Sequence, residues 1–234
     1  NFFLKIWYTR FNQLNESEDI KMDILETMKA RHSVRQYKNQ AIESSKREKI
    51  NALIKDVNAE SKLSIQVFYD EPKCFDSFMA HYGKFENVKN YIAIVGNKND
   101  QEKAGYYGEK IVLKCQKLGL NTCWVAMTHG KSKAQIKRGQ KLLIIISLGY
   151  GETQGVPHKS KSIAELGQAD QKNEWFEKGM EAVSLAPTAV NQQKFYFELK
   201  NGIVTAKNLG GFYSRIDLGI VKYHFEAVTG HEVK

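Results

Sequence analysis

The stretch Arg31-His32-Ser33-Val34-Arg35-Gln36-Tyr37 carries two guanidinium groups, an imidazole and a hydroxyl in close succession. In extended backbone, Arg31, Ser33 and Arg35 project to one side and can face a single ligand. The rigid donor fork of arginine suits a phosphate or the planar polar edge of a ring. The same cations also fit a helix C-terminus, where the macrodipole favours positive charge. A second polar stretch, Ala186-Pro187-Thr188-Ala189-Val190-Asn191-Gln192-Gln193, follows a helix that the proline stops. Its hydroxyl and amide groups sit in a non-helical turn, available either to a ligand or to their own backbone.

Other motifs carry less. Gly149 to Gly155 follows a strand as a dinucleotide-binding turn does, but its glycines are wrongly spaced and Val156-Pro157 stands where a helix should begin. Gly130-Lys131-Ser132 has the ending of a phosphate loop, but Val125 occupies the place of its leading glycine. The histidines do not fall at metal-ligand spacing with one another. Cys115 sits on an apolar helical stripe and reads as core packing.

These residues need a frame. The spacing predicts a helix over Asp23 to Ala30, and a second from a capping box at Ser45 and Glu48, with Ile50, Leu53, Ile54 and Val57 on one stripe. Strands are expected at Ile65 to Tyr69 and Tyr91 to Val95, then a helix from Tyr106 to Leu118 stopped by Gly119. Thr122 to Ala126 and the apolar run Leu142 to Leu148 read as further strands, the latter central and buried. Glu174 to Ser184 is expected as a helix, and Asn201-Gly202 as a hairpin turn joining Phe195 to Leu199 with Ile203 to Lys207. A last helix runs from Arg215 to Val228 and ends at Gly230. Helix, linker, strand and later helix over 45–118 thus recur over 174–230, the pattern of a chain folded as its own pseudo-dimer with a cleft between halves.

The 234 residues include 35 Lys or Arg against 26 Asp or Glu, a formal charge of +9. That length buries a core without a metal or disulfide staple. The odd count of 3 cysteines matches neither a disulfide framework nor a zinc pattern and fits a reducing cytosol. No apolar run is long enough to span a bilayer. The densest basic stretch, Lys131 to Lys141, lacks aromatic residues for base stacking and reads as a solvated face rather than a nucleic-acid surface. Such a field also serves a small anionic ligand. Asn1 to Lys21 reads as an extension packing as a short helix, and Met22 opens a segment that looks like a natural start.

Taken together, the polar segments resemble the FMN-dependent nitroreductase family. There an Arg-(Arg/x)-Ser-x-Arg-x-(Phe/Tyr) segment binds the phosphate, ribityl chain and pyrimidine edge of FMN. Arg31 to Tyr37 is similar, with His32 in place of the commoner arginine. Pro187-Thr188-Ala189-Val190-Asn191 resembles the family's Pro-Ser-x-x-Asn turn, with threonine for serine. Gly119 to Val125 is similar to its Gly-Leu-Gly-x-x-Trp strand, which puts Cys123, Trp124 and Val125 beside the ring. Lys159-Ser160-Lys161 resembles its Lys-x-Arg phosphate clamp, with lysine for arginine. The likeness spans residues 22–230.

One departure is informative. The turn usually follows the first long helix, where Asn58-Ala59-Glu60-Ser61 has no proline, and it stands instead in the second copy. The chain is thus similar to the TM nitroreductase branch, with both halves of the usual dimer in one chain. That implies an α+β, nitroreductase-like fold of mostly antiparallel sheets flanked by helices, with pseudo-repeats over 22–168 and 169–234. It implies one FMN site within the chain, so monomer and homodimer both remain possible. Arg31, Arg35, Lys159 and Lys161 would be countercharges, and Ser33, Thr188 and Asn191 neutral donors. His32, Cys123, Trp124, Val125, Pro187, Ala189 and Gln192 complete the implied contacts. Trp124 and Tyr213 either shape the pocket or pack the core. The implied activity is cytoplasmic electron transfer from NAD(P)H through FMN to a nitroaromatic or quinone-like acceptor. No side chain is expected as general acid or base, because the cofactor carries the hydride chemistry. The rivals are an FMN- or anion-binding protein without turnover and a weak nucleic-acid binder.

Overall fold

The computed structural model describes residues 23–234; the expected N-terminal extension lies outside them. Helix α1 (Ile24–Ala30) opens at Asp23, whose carboxylate caps Ile24 N–H. Helix α2 (Ser44–Ser61) begins a residue before the expected capping box. Glu43 takes the N-cap place without a side-chain bond, so Ser45 falls inside the first turn. Lys62 then closes this helix in the left-handed conformation, at φ 61°.

Four strands form the larger sheet: β1 (Ser64–Phe68), β2 (Asn90–Gly96), β3 (Asn121–Val125) and β4 (Lys141–Gly149), in the order β1-β2-β4-β3. All pairs are antiparallel, with β2 slipping register between Ile94 and Val95. Every residue of β2 is buried, which accounts for its unbroken apolar reading. Between β1 and β2 lie a short 3-10 turn (Pro72–Cys74) and helix α3 (Phe78–Tyr82). Helix α4 (Gln101–Lys117) joins β2 to β3. Its first turn lies upstream of the expected start because Gln101, Glu102 and Lys103 give no apolar signal.

The smaller sheet holds β5 (Gly167–Ala169), β6 (Phe195–Lys200) and β7 (Ile203–Asn208), with β5 parallel to β6 and β6 antiparallel to β7. Asn201 and Gly202 turn the hairpin at φ 52° and 74°, the doubly positive geometry that Asn-Gly tolerates. Helix α5 (Ile163–Leu166) starts at a capping box formed by Ser162 and Glu165. Helix α6 (Glu174–Ser184) and helix α7 (Ser214–Thr229) complete the fold.

Helices α4 and α7 cross at a pair of glycines. A Cβ on Gly105 would lie 2.0 Å from Ile216 O, and one on Gly219 would lie 1.9 Å from Glu102 O. Each glycine therefore seats the carbonyl that lies three residues before the other. No larger residue permits so close an approach. No helix among the described residues is long and apolar enough to cross a membrane.

Candidate functional site

Arg31 ends α1, and its N–H donates to Thr27 O at 3.0 Å. The chain then runs extended beside β3, where Ser33 bridges to Thr122 and Val34 N–H donates to Thr122 O at 3.0 Å. Val34 and Tyr37 pack inward, while Ser33 and Arg35 open to a cleft. The buried Tyr37 hydroxyl fixes the strip by donating to Val34 O at 2.7 Å. Arg31 leaves the expected row. It turns inward at 3% exposure, with Nε 3.8 Å from Glu109 Oε1. His32 lies apart too, its Nδ1 3.1 Å from Gln154 O.

The cleft has a volume of about 470 Å³, ordinary for a small-molecule site. Ser33 and Arg35 line it from one end of the chain, and Pro187, Thr188 and Ala189 from the other. Cys123 and Trp124 of β3 also line it, as do Phe212, Tyr213 and Asp217. Burial pushes the Cys123 thiol above its ordinary pKa, so it presents a small neutral surface rather than a nucleophile. Trp124 leans on Gly108, where a Cβ would come within 2.4 Å of the indole, and its Nε1 donates to Glu109 Oε2 at 2.9 Å. It thus both shapes the pocket and packs the core. Val125 belongs to the core and does not line the cleft.

The turn after α6 is held in a costly shape. Val190, Asn191 and Gln193 have φ of 47°, 55° and 44°. A β-branched residue with positive φ costs roughly 1–3 kcal/mol and persists only where neighbours impose it. Asp217 is one such neighbour: Ala189 N–H donates to its Oδ1 at 2.9 Å, and Gln192 Nε2 to its Oδ2 at 2.7 Å. Gln192 also donates to Phe212 O at 2.7 Å, so its amide is spent on the turn. Gln193, 4% exposed, donates to Lys159 O at 2.9 Å and accepts from Lys161 N–H at 2.8 Å. Asn191 Nδ2 donates to the same Lys159 carbonyl at 2.9 Å. Lys159 and Lys161 thus form a strap tied to the turn beside the cleft, outside its lining.

A protein-family model described as "Putative TM nitroreductase" matches residues 23–229. The chain belongs to this nitroreductase family. A "putative nitroreductase" from Thermotoga maritima superposes at a TM-score of 0.65 and 23% identity, covering 89% of this chain and 84% of that one. A "putative nitroreductase in complex with FMN" from Desulfovibrio desulfuricans matches at 0.47 and 15%, over 62% of this chain and 95% of that one. A "putative NADH dehydrogenase/NAD(P)H nitroreductase" from Parabacteroides distasonis matches at 0.48 and 19%, over 62% and 97% respectively. A search of curated proteins returns no match. The fold is the nitroreductase fold, and the family is one of oxidoreductases.

Three residues at or beside this cleft are absent from the expected set. Glu109 of α4, fully buried, takes bonds from Trp124 and from His224 Nε2 at 3.0 Å. Burial alone would raise its pKa, but the His224 hydrogen bond and the charges of His224 and Arg31 outweigh it and hold the carboxyl below its ordinary range. The other two are Asp217 and Gln193. The available signal was an acid inside an apolar stripe: Glu109 shares a helix face with Gly105, Val112 and Leu113, and Asp217 with Ile220 and Val221. For Gln193 the spacing offered no signal.

Proposed function

We propose that the cleft binds FMN and that the protein passes electrons from NAD(P)H to flat, electron-poor acceptors such as nitroaromatics or quinones. One observation carries the reading: Ser33 and Arg35 share a single cavity with Pro187, Thr188 and Ala189, beside Trp124. The donor set fits the group. Arg35 supplies positive charge, Ser33 and Thr188 supply hydroxyls, and Phe212, Tyr213 and Ile144 give flat or apolar walls for a tricyclic ring. Bound FMN would supply the hydride and electron chemistry, and the chain its placement and electrostatics. Asp217 is the carboxyl lining the cleft, and its oxygens are already engaged by Ala189 and Gln192, so we assign it no acid–base role.

We further read residues 22–168 and 169–234 as unequal copies of a family subunit. The reciprocal seats at Gly105 and Gly219 are what a subunit interface folded into one chain would leave. The site is then complete in a monomer. Buried, free thiols at Cys74, Cys115 and Cys123 suit a reducing cytoplasm.

The test is a visible spectrum of protein titrated with FMN, then with NADH or NADPH without oxygen. A flavin band that bleaches supports the reading; protein indifferent to FMN ends it, and a band that never bleaches leaves a binding protein without turnover. Arg35→Ala is expected to weaken FMN binding by about 1.5–3 kcal/mol, the usual size for a charge-assisted hydrogen bond. Unchanged affinity would remove Arg35 from the site.

A further inference from the structure

A second cavity, of about 500 Å³, opens where the starts of α4 and α7 meet the first residues of β4. Phe212 and Tyr213 line both cavities, so the two share a wall. Lys141 and Arg215 line the second, and no carboxylate does. Neither cation has an ion-pair partner among the described residues. The acids at the start of α4 are engaged elsewhere: Asp100 lies 3.1 Å from Lys103, and Glu102 lies 2.7 Å from Lys222.

The start of α7 adds donors. This helix is 16 residues long and has no side-chain cap. The N–H groups of Ser214 and Arg215 therefore lack intrahelical partners and sit at the positive end of the macrodipole. Ser214 is 8% exposed, lines this cavity, and its hydroxyl has no hydrogen-bond partner among the described residues. Its oxygen is not closed off from the cavity and stands free to meet a ligand there. Free amides, that hydroxyl and two unpaired cations match a phosphate group.

The position says whose phosphate it is. Ser33 bridges to Thr122, whose partner on β4 is Leu148, near the far end of that strand from Lys141. The seven residue steps of β4 between Lys141 and Leu148 span roughly 24 Å at about 3.4 Å per residue. The second cavity is thus remote from the basic segment at Arg31 to Arg35. We propose that it binds the diphosphate of the pyridine dinucleotide whose nicotinamide enters the cleft, with Ser214, Arg215 and Lys141 as its contacts. This assignment rests on the flavin reading of the cleft.

The test compares wild type with the double variant Lys141→Ala/Arg215→Ala and with Ser214→Ala. Each is titrated calorimetrically with ADP-ribose, a diphosphate without nicotinamide, and with adenosine, while FMN uptake is followed by absorbance. The double variant is expected to lose about tenfold or more in ADP-ribose affinity, as losing charge-assisted contacts implies. Ser214→Ala should lose less, FMN uptake should stay unchanged, and KM for NADH and NADPH should rise in parallel. Three results overturn the proposal: ADP-ribose affinity that does not change, a loss confined to NADPH, or a concurrent loss of FMN uptake. Wild-type protein that takes up FMN but not ADP-ribose also overturns it. Protein that binds ADP-ribose through these residues but takes no FMN would sink the flavin reading and leave the anion site standing.

Discussion

Helices α4 and α7 each bury one carboxylate beside the cleft, and the two are satisfied in opposite ways. Glu109 meets the Arg31 guanidinium, Nε at 3.8 Å, and His224 Nε2 at 3.0 Å, with Trp124 as a third partner. Asp217 meets neutral donors alone, the Ala189 amide and the Gln192 side chain. The charged cluster ties the end of α1, strand β3 and helix α7 to α4, and so fixes the frame. The neutral cluster holds only the strained turn at Val190. Burial raises the Asp217 pKa to about 6, because its hydrogen bonds only partly offset desolvation. Countercharge keeps Glu109 low. A frame can rest on charge matched by charge, whereas a ligand-facing turn rests on bonds that leave the site's field to the ligand.

The sharpest way to break the comparison is Glu109→Ala. It strands the buried Arg31 guanidinium and takes the acceptor from His224 Nε2, and removing one partner of a buried ion pair costs about 3–5 kcal/mol. Urea unfolding should report a loss of that size. A loss below about 1 kcal/mol would mean that the cluster does not hold the frame.

The second prediction uses pH. Asp217 has a folded pKa of about 6 against an ordinary 3.8, so the folded state keeps a proton that the unfolded state releases. Its contribution is favourable below the ordinary value and is lost as pH rises towards 6. At about 1.4 kcal/mol per pKa unit, the swing is on the order of 2–3 kcal/mol. Asp217→Asn should flatten this fall when unfolding free energy is measured between pH 4 and 7. Glu109 acts with the opposite sign, its stabilisation fading as pH falls below the ordinary glutamate range. Equal slopes in variant and wild type would erase the distinction between the two carboxylates.

Much of the frame was legible because its signals are local. The alternation and apolar runs of β1 to β4 and the Asn201-Gly202 turn need no distant partner, and α6 spans the expected Glu174–Ser184. The capping box at Ser45 misled because Glu43 begins the helix earlier, whereas the equivalent signal at Ser162 and Glu165 was real. For the candidate site, alternation predicted the shared face of Ser33 and Arg35. It misplaced Arg31, which sits at a helix end rather than in the extended strip and is drawn inward by Glu109, 78 positions away in sequence. Burial of that kind depends on tertiary contacts that spacing does not encode.

Gln192 and Gln193 sharpen the same point and carry the smallest expected effect. Adjacent glutamines look interchangeable in sequence, yet positive φ at Asn191 and Gln193 sends them to different partners. Gln192 reaches Asp217, and Gln193 reaches the strap at Lys159 and Lys161. Gln193→Ala removes a bond at each end of that strap and leaves the Asp217 cluster whole. The expected loss is about 1–1.5 kcal/mol in unfolding free energy, the scale of a neutral hydrogen bond. The strap should open first, so limited proteolysis is expected to cut near Lys159 and Lys161 sooner than in wild type. The pH slope due to Asp217 should persist in this variant, since neither of its bonds is touched. If Gln193→Ala also abolished that slope, turn and strap would form one coupled unit, and the neutral cluster would extend to the lysines as well.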